Sequence, residues 1–371
     1  MDAPPTAGRH IAATRALLWA AGPLLSLGAA EATVRLVDIG SLARPEILDA
    51  RRRTIGDLSE ITGIFGDERD PTPSGSLTQI PPGITSYGWY DRPRWDYFDS
   101  RGCVEYRINS LGFRDDDFPL EKPAGELRMI AVGDSITLAA GVQGDDCWVQ
   151  QLEQRLELAR GAPVEVVNAG FSRGFRPQSY VGWLAEQGLR LDPDAVLVGF
   201  CLNDISTDIP MYVPQAQEPV PWLGGRSELL VKLQHAFPGW GAPPAAAKPM
   251  ALKAKRVVAS HAEEWKATQD GLLQMQALLE PRGVRFVVAV FPMMSQLASG
   301  YLFGELHQLV TGFCADHAIE CVDLLPPFLG RDETELWVHP RDQHMNDVGQ
   351  RMAADALAAW FAERPLAPRA R

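Results

Sequence analysis

A hydrophobic strand that stops on a small turn and carries a serine at its tip is a place to hold a nucleophile. The stretch RMIAVGDSITLAAGV, residues 128–142, has this form: an apolar run from Met129 to Val132, a break at Gly133, then Asp134, Ser135 and Thr137. A serine hydroxyl attacks poorly until a base takes its proton, and imidazole titrates in the useful range. The segment PRDQHMNDVGQ, residues 340–350, offers Asp342 and His344 two positions apart, just ahead of a helical pattern. Residues so spaced do not face each other on a helix but lie on one side of an extended chain. The spacing therefore predicts that 340–345 is non-helical and that the last helix starts near Asn346 or Asp347. Its expected buried stripe is Val348, Met352, Ala356, Leu357, Trp360 and Phe361.

Two more segments end strands on polar residues. VEVVNAGFSRGF (164–175) reaches Asn168 and then a glycine-containing loop, and AVLVGFCLNDI (195–205) reaches Asn203 and Asp204. Taken singly, each has a duller use: serine and threonine cap helices, and asparagine closes strands through Asx turns. Taken together they all follow a strand-then-helix order, and a parallel sheet brings the carboxyl ends of its strands to one edge.

The elements that must do this positioning are visible from Leu127 onward. Apolar runs at 127–133, 164–168, 195–200, 284–291 and 319–324 alternate with helical patterns at 147–159, 178–190, 260–280 and 303–317, before a final helix. Such alternation predicts an α/β fold with a parallel sheet covered on both faces. Residues 38–125 lack this rhythm and read as an irregular extension. DERDPTPSGSLTQIPPG (67–83) is loop, while RWDYFDSRGCVEYRIN (94–109) reads as a hairpin of two runs joined by an Asp-Ser-Arg-Gly turn. A segment rich in Pro, Gly and Ala at 206–258 reads as an insertion that shapes a substrate entrance. The expected organisation is an amino-terminal segment 1–37, the extension 38–125, and a main domain 126–365.

GDSITLAAGV, VNAGFS, GFCLND and DQHMNDVGQ, in this order and spacing, resemble the four blocks of the SGNH/GDSL hydrolases. YRINSLGFRDDDFP resembles an approach segment of exported bacterial members that carry an amino-terminal anchor. The resemblance implies a flavodoxin-like three-layer α/β/α fold with about five parallel strands. It implies a serine esterase or deacylase working through an acyl-enzyme, with Ser135 as nucleophile, His344 as base and then acid, and Asp342 orienting the imidazole. His339 is a competing base but lacks the Asn-x-x-Gly that follows His344. The family's oxyanion donors carry over to the Ser135 backbone N–H, the Asn203 side chain, and a backbone N–H after the second strand. There the family usually has glycine, whereas this chain has Arg173 followed by Gly174, so either residue is the expected donor. Asp134 is expected to fix the turn through backbone N–H groups, the Gly141-Val142 pair to mark the loop's exit, and Cys201 to serve packing. A glycan O-acetyltransferase with the same triad and a catalytically silent carbohydrate- or lipid-binding module are the alternatives.

Composition narrows the partners. A formal net charge of -12 argues against nucleic acid, whose phosphates require a basic face. No HxH, HExxH or CxxC spacing and no ligand-spaced carboxylates occur, so neither metal nor cofactor is expected. Cys103, Cys147, Cys201, Cys314 and Cys321 leave open whether Cys314 and Cys321 pair. Arg9, His10 and Arg15 precede the uncharged apolar run 16–30, which extends past Glu31 through Val34, the order of an export signal or membrane anchor. The expectation is membrane association through 16–34 with the main domain extracytoplasmic, acting on a small-molecule, lipid or glycan ester, with oligomeric state left open.

Overall fold

The computed structural model describes residues 29, 72, 74–90, 94–171, 175–206, 209, 258–340 and 342–369. The elements below belong to one compact unit, Ile47–Val213 with Pro249–Arg371. The expected anchor at 16–34, apart from residue 29, and nearly all of the 206–258 insertion lie outside the described residues. Among the described residues no helix is long and apolar enough to cross a membrane.

A short hairpin comes first. Strand β1 (Thr85–Trp89) pairs antiparallel with β2 (Cys103–Arg107), Thr85 facing Arg107 and Trp89 facing Cys103. This corrects the expected hairpin: the second strand is where it was read, but its partner is 85–89 and not the run beginning at Arg94. The Asp-Ser-Arg-Gly turn does form, with Gly102 N–H donating to the Asp99 carbonyl at 2.9 Å. The Asp99 carboxylate also receives the N–H groups of Arg101 and Cys103. The residues before it are held by their side chains instead. Phe98 joins a core with Ile80, Ile84, Tyr90, Val104, Tyr106 and Ile108, and the Trp95 indole donates to the Trp337 carbonyl at 2.7 Å.

The main domain is built on five parallel strands: β3 (Leu127–Gly133), β4 (Val164–Gly170), β5 (Ala195–Cys201), β6 (Arg285–Phe291) and β7 (Glu320–Asp323). Their order across the sheet is β4-β3-β5-β6-β7. Strands β3 and β5 are buried along their whole length, which is why they read as unbroken apolar runs. Helices α1 (Trp148–Arg160), α2 (Pro177–Glu186), α3 (Ala262–Leu279), α4 (Gly304–Asp316) and α5 (Asp347–Glu363) cover the sheet. Right-handed crossovers fix their sides. The step from β3 to β4 runs opposite to every later step, so α1 lies on one face and α2, α3 and α4 on the other. Accordingly α1 packs along α5, α2 packs along α3, and Trp265 of α3 meets Phe313 of α4 edge-on.

This is the flavodoxin-like three-layer arrangement, and its strand order reverses between β3 and β5. Crossovers leave that point toward opposite faces and open a crevice at the strands' carboxyl ends. A second small pair, β8 (Trp337–His339) and β9 (Asp342–Met345), precedes α5. Asn346 caps α5, its side chain accepting from Gly349 N–H at 3.1 Å. The buried stripe of α5 is Gly349, Gln350, Ala353, Ala354, Leu357 and Phe361, while Val348, Met352, Ala356 and Trp360 are only partly buried. The shift from the expected stripe has a polar cause: Gln350 is drawn inward because its amide oxygen receives Trp148 N–H at 3.0 Å, at the start of α1. None of the five cysteines forms a disulfide; Cys314 and Cys321 lie against each other as thiols.

Candidate active site

Three glycines decide where Ser135 can sit. Gly133, Gly170 and Gly199 face one another across β3, β4 and β5. A Cβ on Gly170 would lie 2.0 Å from the Leu138 backbone nitrogen, and one on Gly133 or Gly199 would lie 2.1 or 2.2 Å from the Thr137 hydroxyl. The bare rung lets the turn after β3 lie directly on the ends of its neighbours. Asp134 shapes that turn: its carbonyl accepts from Thr137 and Leu138 N–H at 3.0 and 2.9 Å, and its carboxylate accepts from Ile136 N–H at 2.9 Å.

The antiparallel β8–β9 pair brings the other groups over the same edge. Asp342 and His344 alternate on extended chain, so both side chains point the same way. His344 Nδ1 lies 2.5 Å from Asp342 Oδ1, and its Nε2 lies 2.9 Å from Ser135 Oγ. The same carboxylate oxygen accepts His344 N–H at 3.1 Å, and Tyr90 donates its hydroxyl to the other oxygen at 2.8 Å. The side chains of His344 and Asp342 are 16% and 9% exposed, so a small opening to solvent remains at the imidazole. From the end of β5, Asn203 donates its side-chain amide to Asp134 at 3.2 Å. A donor–acceptor chain thus runs Tyr90–Asp342–His344–Ser135, with Asn203 held beside the serine through Asp134.

The model of the GDSL-like Lipase/Acylhydrolase family matches residues 131–352, more than half of the chain. The chain belongs to this family. It is an ester-bond hydrolase. Similar solved structures include the lipase/acylhydrolase from Enterococcus faecalis, 17% identical over 66% of this chain and 100% of that one, with a TM-score of 0.40. They also include a member of the lipolytic protein G-D-S-L family from Veillonella parvula DSM 2008, 16% identical over 64% and 98% of the two chains, with a TM-score of 0.38. The psychrotrophic esterase EstA from Pseudoalteromonas sp. is 14% identical over 64% and 97%, also with a TM-score of 0.38. No curated protein matches the chain.

Electrostatics in this GDSL-like hydrolase follow from burial and its opposition. Burial works to raise the Asp342 carboxyl, but the facing charge of His344, its ring and backbone N–H groups and the Tyr90 hydroxyl outweigh it and hold the group below its ordinary value. Burial likewise works to lower His344, and Asp342's charge and hydrogen bond, with Asp134 behind them, overcome it and raise the imidazole. Asp134 is raised by burial despite the Ile136 N–H, the Asn203 amide and the charge of His344.

Other expected residues take structural places. Asn168 forms an Asx turn, its side-chain oxygen accepting Gly170 N–H at 3.1 Å. Cys201 is buried with its sulfur 3.9 Å from that of Met293, in keeping with packing. His339 lies against the Tyr90 ring, centroids 6.0 Å apart, whereas the hydrogen bond to Ser135 is made by His344. Arg173 and Gly174 lie outside the described residues. Among the described residues no group of three or more His, Cys, Asp or Glu is arranged to hold a metal.

Two sets of residues were not anticipated. Arg114 is buried under the exit of the Ser135 turn and donates to the carbonyls of Leu138 (2.7 Å), Ala139 (2.6 Å) and Val142. The turn needs that support because Ala139 holds a φ of 57°. Tyr106 accepts Gly141 N–H at 2.7 Å, and the Arg114 guanidinium lies over its ring at 4.1 Å. The second set is another His–Asp pair: His307 Nδ1 lies 2.7 Å from Asp323, and its Nε2 lies 3.1 Å from the Tyr301 hydroxyl, which accepts Met293 N–H at 3.0 Å. Both ring nitrogens are occupied, and the cluster ties the loop after β6 to α4 and β7.

Proposed function

We propose that the protein is a serine esterase that hydrolyses O-acyl esters through an acyl-enzyme on Ser135. The observation that carries this reading is the pair of contacts at His344, Nε2 to Ser135 Oγ and Nδ1 to Asp342. Ser135 Oγ attacks the ester carbonyl while His344 Nε2 takes its proton, and Asp342 stabilises the imidazolium. The Ser135 N–H and Asn203 then receive the oxyanion. Asn203 is suited to this because its amide nitrogen carries two hydrogens and Asp134 engages one. Collapse breaks the bond to the alcohol, which leaves with the proton from Nε2. Water next attacks the acyl-serine, its proton passes to Nε2, and the carboxylic acid departs as Ser135 regains its hydrogen.

The acting unit in this reading is the main domain, 126–365, together with the β1–β2 hairpin, which supplies Tyr90 to the chain of contacts. The basic residues ahead of the apolar run 16–30 within segment 16–34 support an extracytoplasmic, membrane-associated site of action. The test is a panel of acyl-chain lengths on wild type and Ser135→Ala, with labelling by an organophosphonate. Wild type should be labelled stoichiometrically at Ser135, and Ser135→Ala should lose turnover by on the order of 10⁴-fold or more with an unchanged melting temperature. Substantial hydrolysis by the alanine variant would overturn the assignment, and faster turnover of the acyl-serine with a saccharide than with water would redirect it to transfer.

A further inference from the structure

The hydroxyl of Tyr90 reaches Asp342 across 252 positions of sequence, from a segment that the parallel sheet does not require. Several contacts bring it there. Tyr90 N–H donates to the Gly102 carbonyl at 3.0 Å, extending the hairpin by one residue. Its ring packs edge-on against Phe98 with centroids 5.2 Å apart. The Trp95 indole binds the Trp337 carbonyl, tying the same loop to β8. On the opposite side the nucleophile turn closes in, since a Cβ on Gly141 would come within 3.0 Å of the Tyr90 hydroxyl. The phenol is therefore wedged between the exit of the serine turn and the carboxylate that orients the base.

We propose that Tyr90 is a positioning residue of the active site, whose hydroxyl occupies one oxygen of Asp342 and leaves the other to His344. The proposal rests on the reading of Ser135, His344 and Asp342 as a triad. A carboxylate free to rotate can present either oxygen, or share its charge with water, and the imidazole then loses its fixed tautomer and direction. A donor on the far oxygen removes that freedom and draws part of the charge away from the oxygen facing the ring. The extension would thus be part of the machinery, supplying a member that the sheet edge cannot.

The groups facing this pair are few. His344 is on the same strand as Asp342, and His339 lies across the β8–β9 pair. Tyr90, Tyr97 and Tyr106 approach from the extension, and Asp134 faces His344 from the nucleophile turn. Of the phenols, Tyr97 supplies an internal control: its hydroxyl is buried without a hydrogen-bond partner, so Tyr97→Phe removes the same atom from the same core without touching the carboxylate.

The experiment compares full-length wild type, Tyr90→Phe, Tyr97→Phe and a protein with 3-fluorotyrosine at position 90 alone. It follows kcat and KM against pH on a p-nitrophenyl acyl ester, and the titration of His344 by NMR of ¹⁵N-histidine-labelled protein. Tyr90→Phe keeps the ring and its packing. Its kcat should fall roughly tenfold with KM within about twofold, the loss expected of one hydrogen bond to a charged group. His344 should titrate at higher pH in that variant, because the undiluted carboxylate holds the imidazolium more firmly. The fluorotyrosine, a stronger donor, should move the titration the other way, and Tyr97→Phe should change neither quantity. Unaltered kcat and an unaltered His344 titration in Tyr90→Phe would overturn the proposal. So would equal effects in Tyr90→Phe and Tyr97→Phe, which would mark a general packing loss. Should Tyr90→Phe fail to fold, the fluorotyrosine protein alone decides, an unmoved titration counting against the proposal. A wild-type protein that neither hydrolyses the ester nor reacts with the phosphonate would defeat the esterase reading instead, while the titrations would still report on Tyr90.

Discussion

His344 Nε2 and Ser135 Oγ are 209 positions apart in sequence and 2.9 Å apart in space. The serine leaves β3 and the histidine lies on β9, so their meeting depends on the sheet's carboxyl edge and on the small β8–β9 pair that crosses it. The Asp342 charge facing the ring has a direct consequence for pH dependence.

In the proposed mechanism His344 is the general base and works only when neutral, so kcat/KM on an uncharged ester should rise with pH as the free enzyme's His344 loses its proton. Burial lowers that value, and Asp342 with Asp134 raises it by more, so the acid limb should lie above the ordinary histidine value of about 6.5. The same raised group contributes stability below its unfolded value, and that contribution is lost as pH rises through the folded value. Asp342→Asn removes the charge, so the acid limb should shift to lower pH while kcat falls by on the order of 10⁴-fold. A limb that stays in place in Asp342→Asn would show that the carboxylate does not set the imidazole's charge.

Asn203 and Asp134 should separate in their effects. In the proposed mechanism Asn203 receives the oxyanion, so Asn203→Ala should lower kcat by about 10²–10³ with KM little changed. Asp134→Asn keeps an acceptor for Ile136 N–H but presents a neutral amide to Asn203, so it should lose less activity and more thermal stability. Kinetics and melting curves on the two variants check this. A stability loss from Asn203→Ala as large as its activity loss would argue for a structural role alone.

Much of this architecture was legible because of burial. Strands such as AVLVGFC are buried on both faces and so appear as continuous apolar runs, and a helical pattern between each pair implies parallel strands. The Asp-x-His spacing was likewise legible, because alternation on extended chain is a local property. What escaped depends on register and on distant contacts. Gly133, Gly170 and Gly199 are ordinary singly, and their joint meaning appears only when three strands are aligned. The hairpin's first strand was misplaced because the aromatic run at Trp95, Tyr97 and Phe98 has the composition of a strand but is used for packing. Tyr90 and Arg114 carry no local mark of their use, since each meets its partner through tertiary contact.

The glycine rung gives a test of its own. Gly170→Ala would place a methyl 2.0 Å from the Leu138 backbone nitrogen, and backbone cannot swing away as a flexible side chain can. The variant should lose about 1–3 kcal/mol of stability or fold with a displaced serine turn. Either outcome should slow organophosphonate labelling at Ser135, and an alanine variant with wild-type melting and labelling would refute the packing argument. Gly161→Ala, at the solvent end of α1 where nothing lies within 4 Å, should cost stability only through its positive φ and leave labelling unchanged.

Strand β4 stands at the sheet's edge, and its outward N–H groups are met by carboxylates. Val164 donates to Glu157, Val166 to Glu153 at 2.7 Å, and Asn168 to Asp115 at 2.9 Å. Such an edge is closed to pairing with another chain. The closure is strained electrostatically, because burial pushes Glu153 from 4.5 up to about 8, with Asp115 and Glu157 adding to the rise against the favourable Val166 N–H. A carboxyl raised in the folded state is neutral there while the unfolded chain has already ionised, so stability should fall as pH climbs from about 4.5 toward about 8. Glu153→Gln keeps an oxygen to accept Val166 N–H and removes the titration. Its melting temperature should therefore match or exceed wild type at pH 8 and fall less steeply between pH 5 and pH 8. Glu153→Leu, which leaves the Val166 N–H without an acceptor, should be less stable than wild type across the range. A glutamine variant that tracks wild type at every pH would show that Glu153 ionises as easily in the fold as in the unfolded chain.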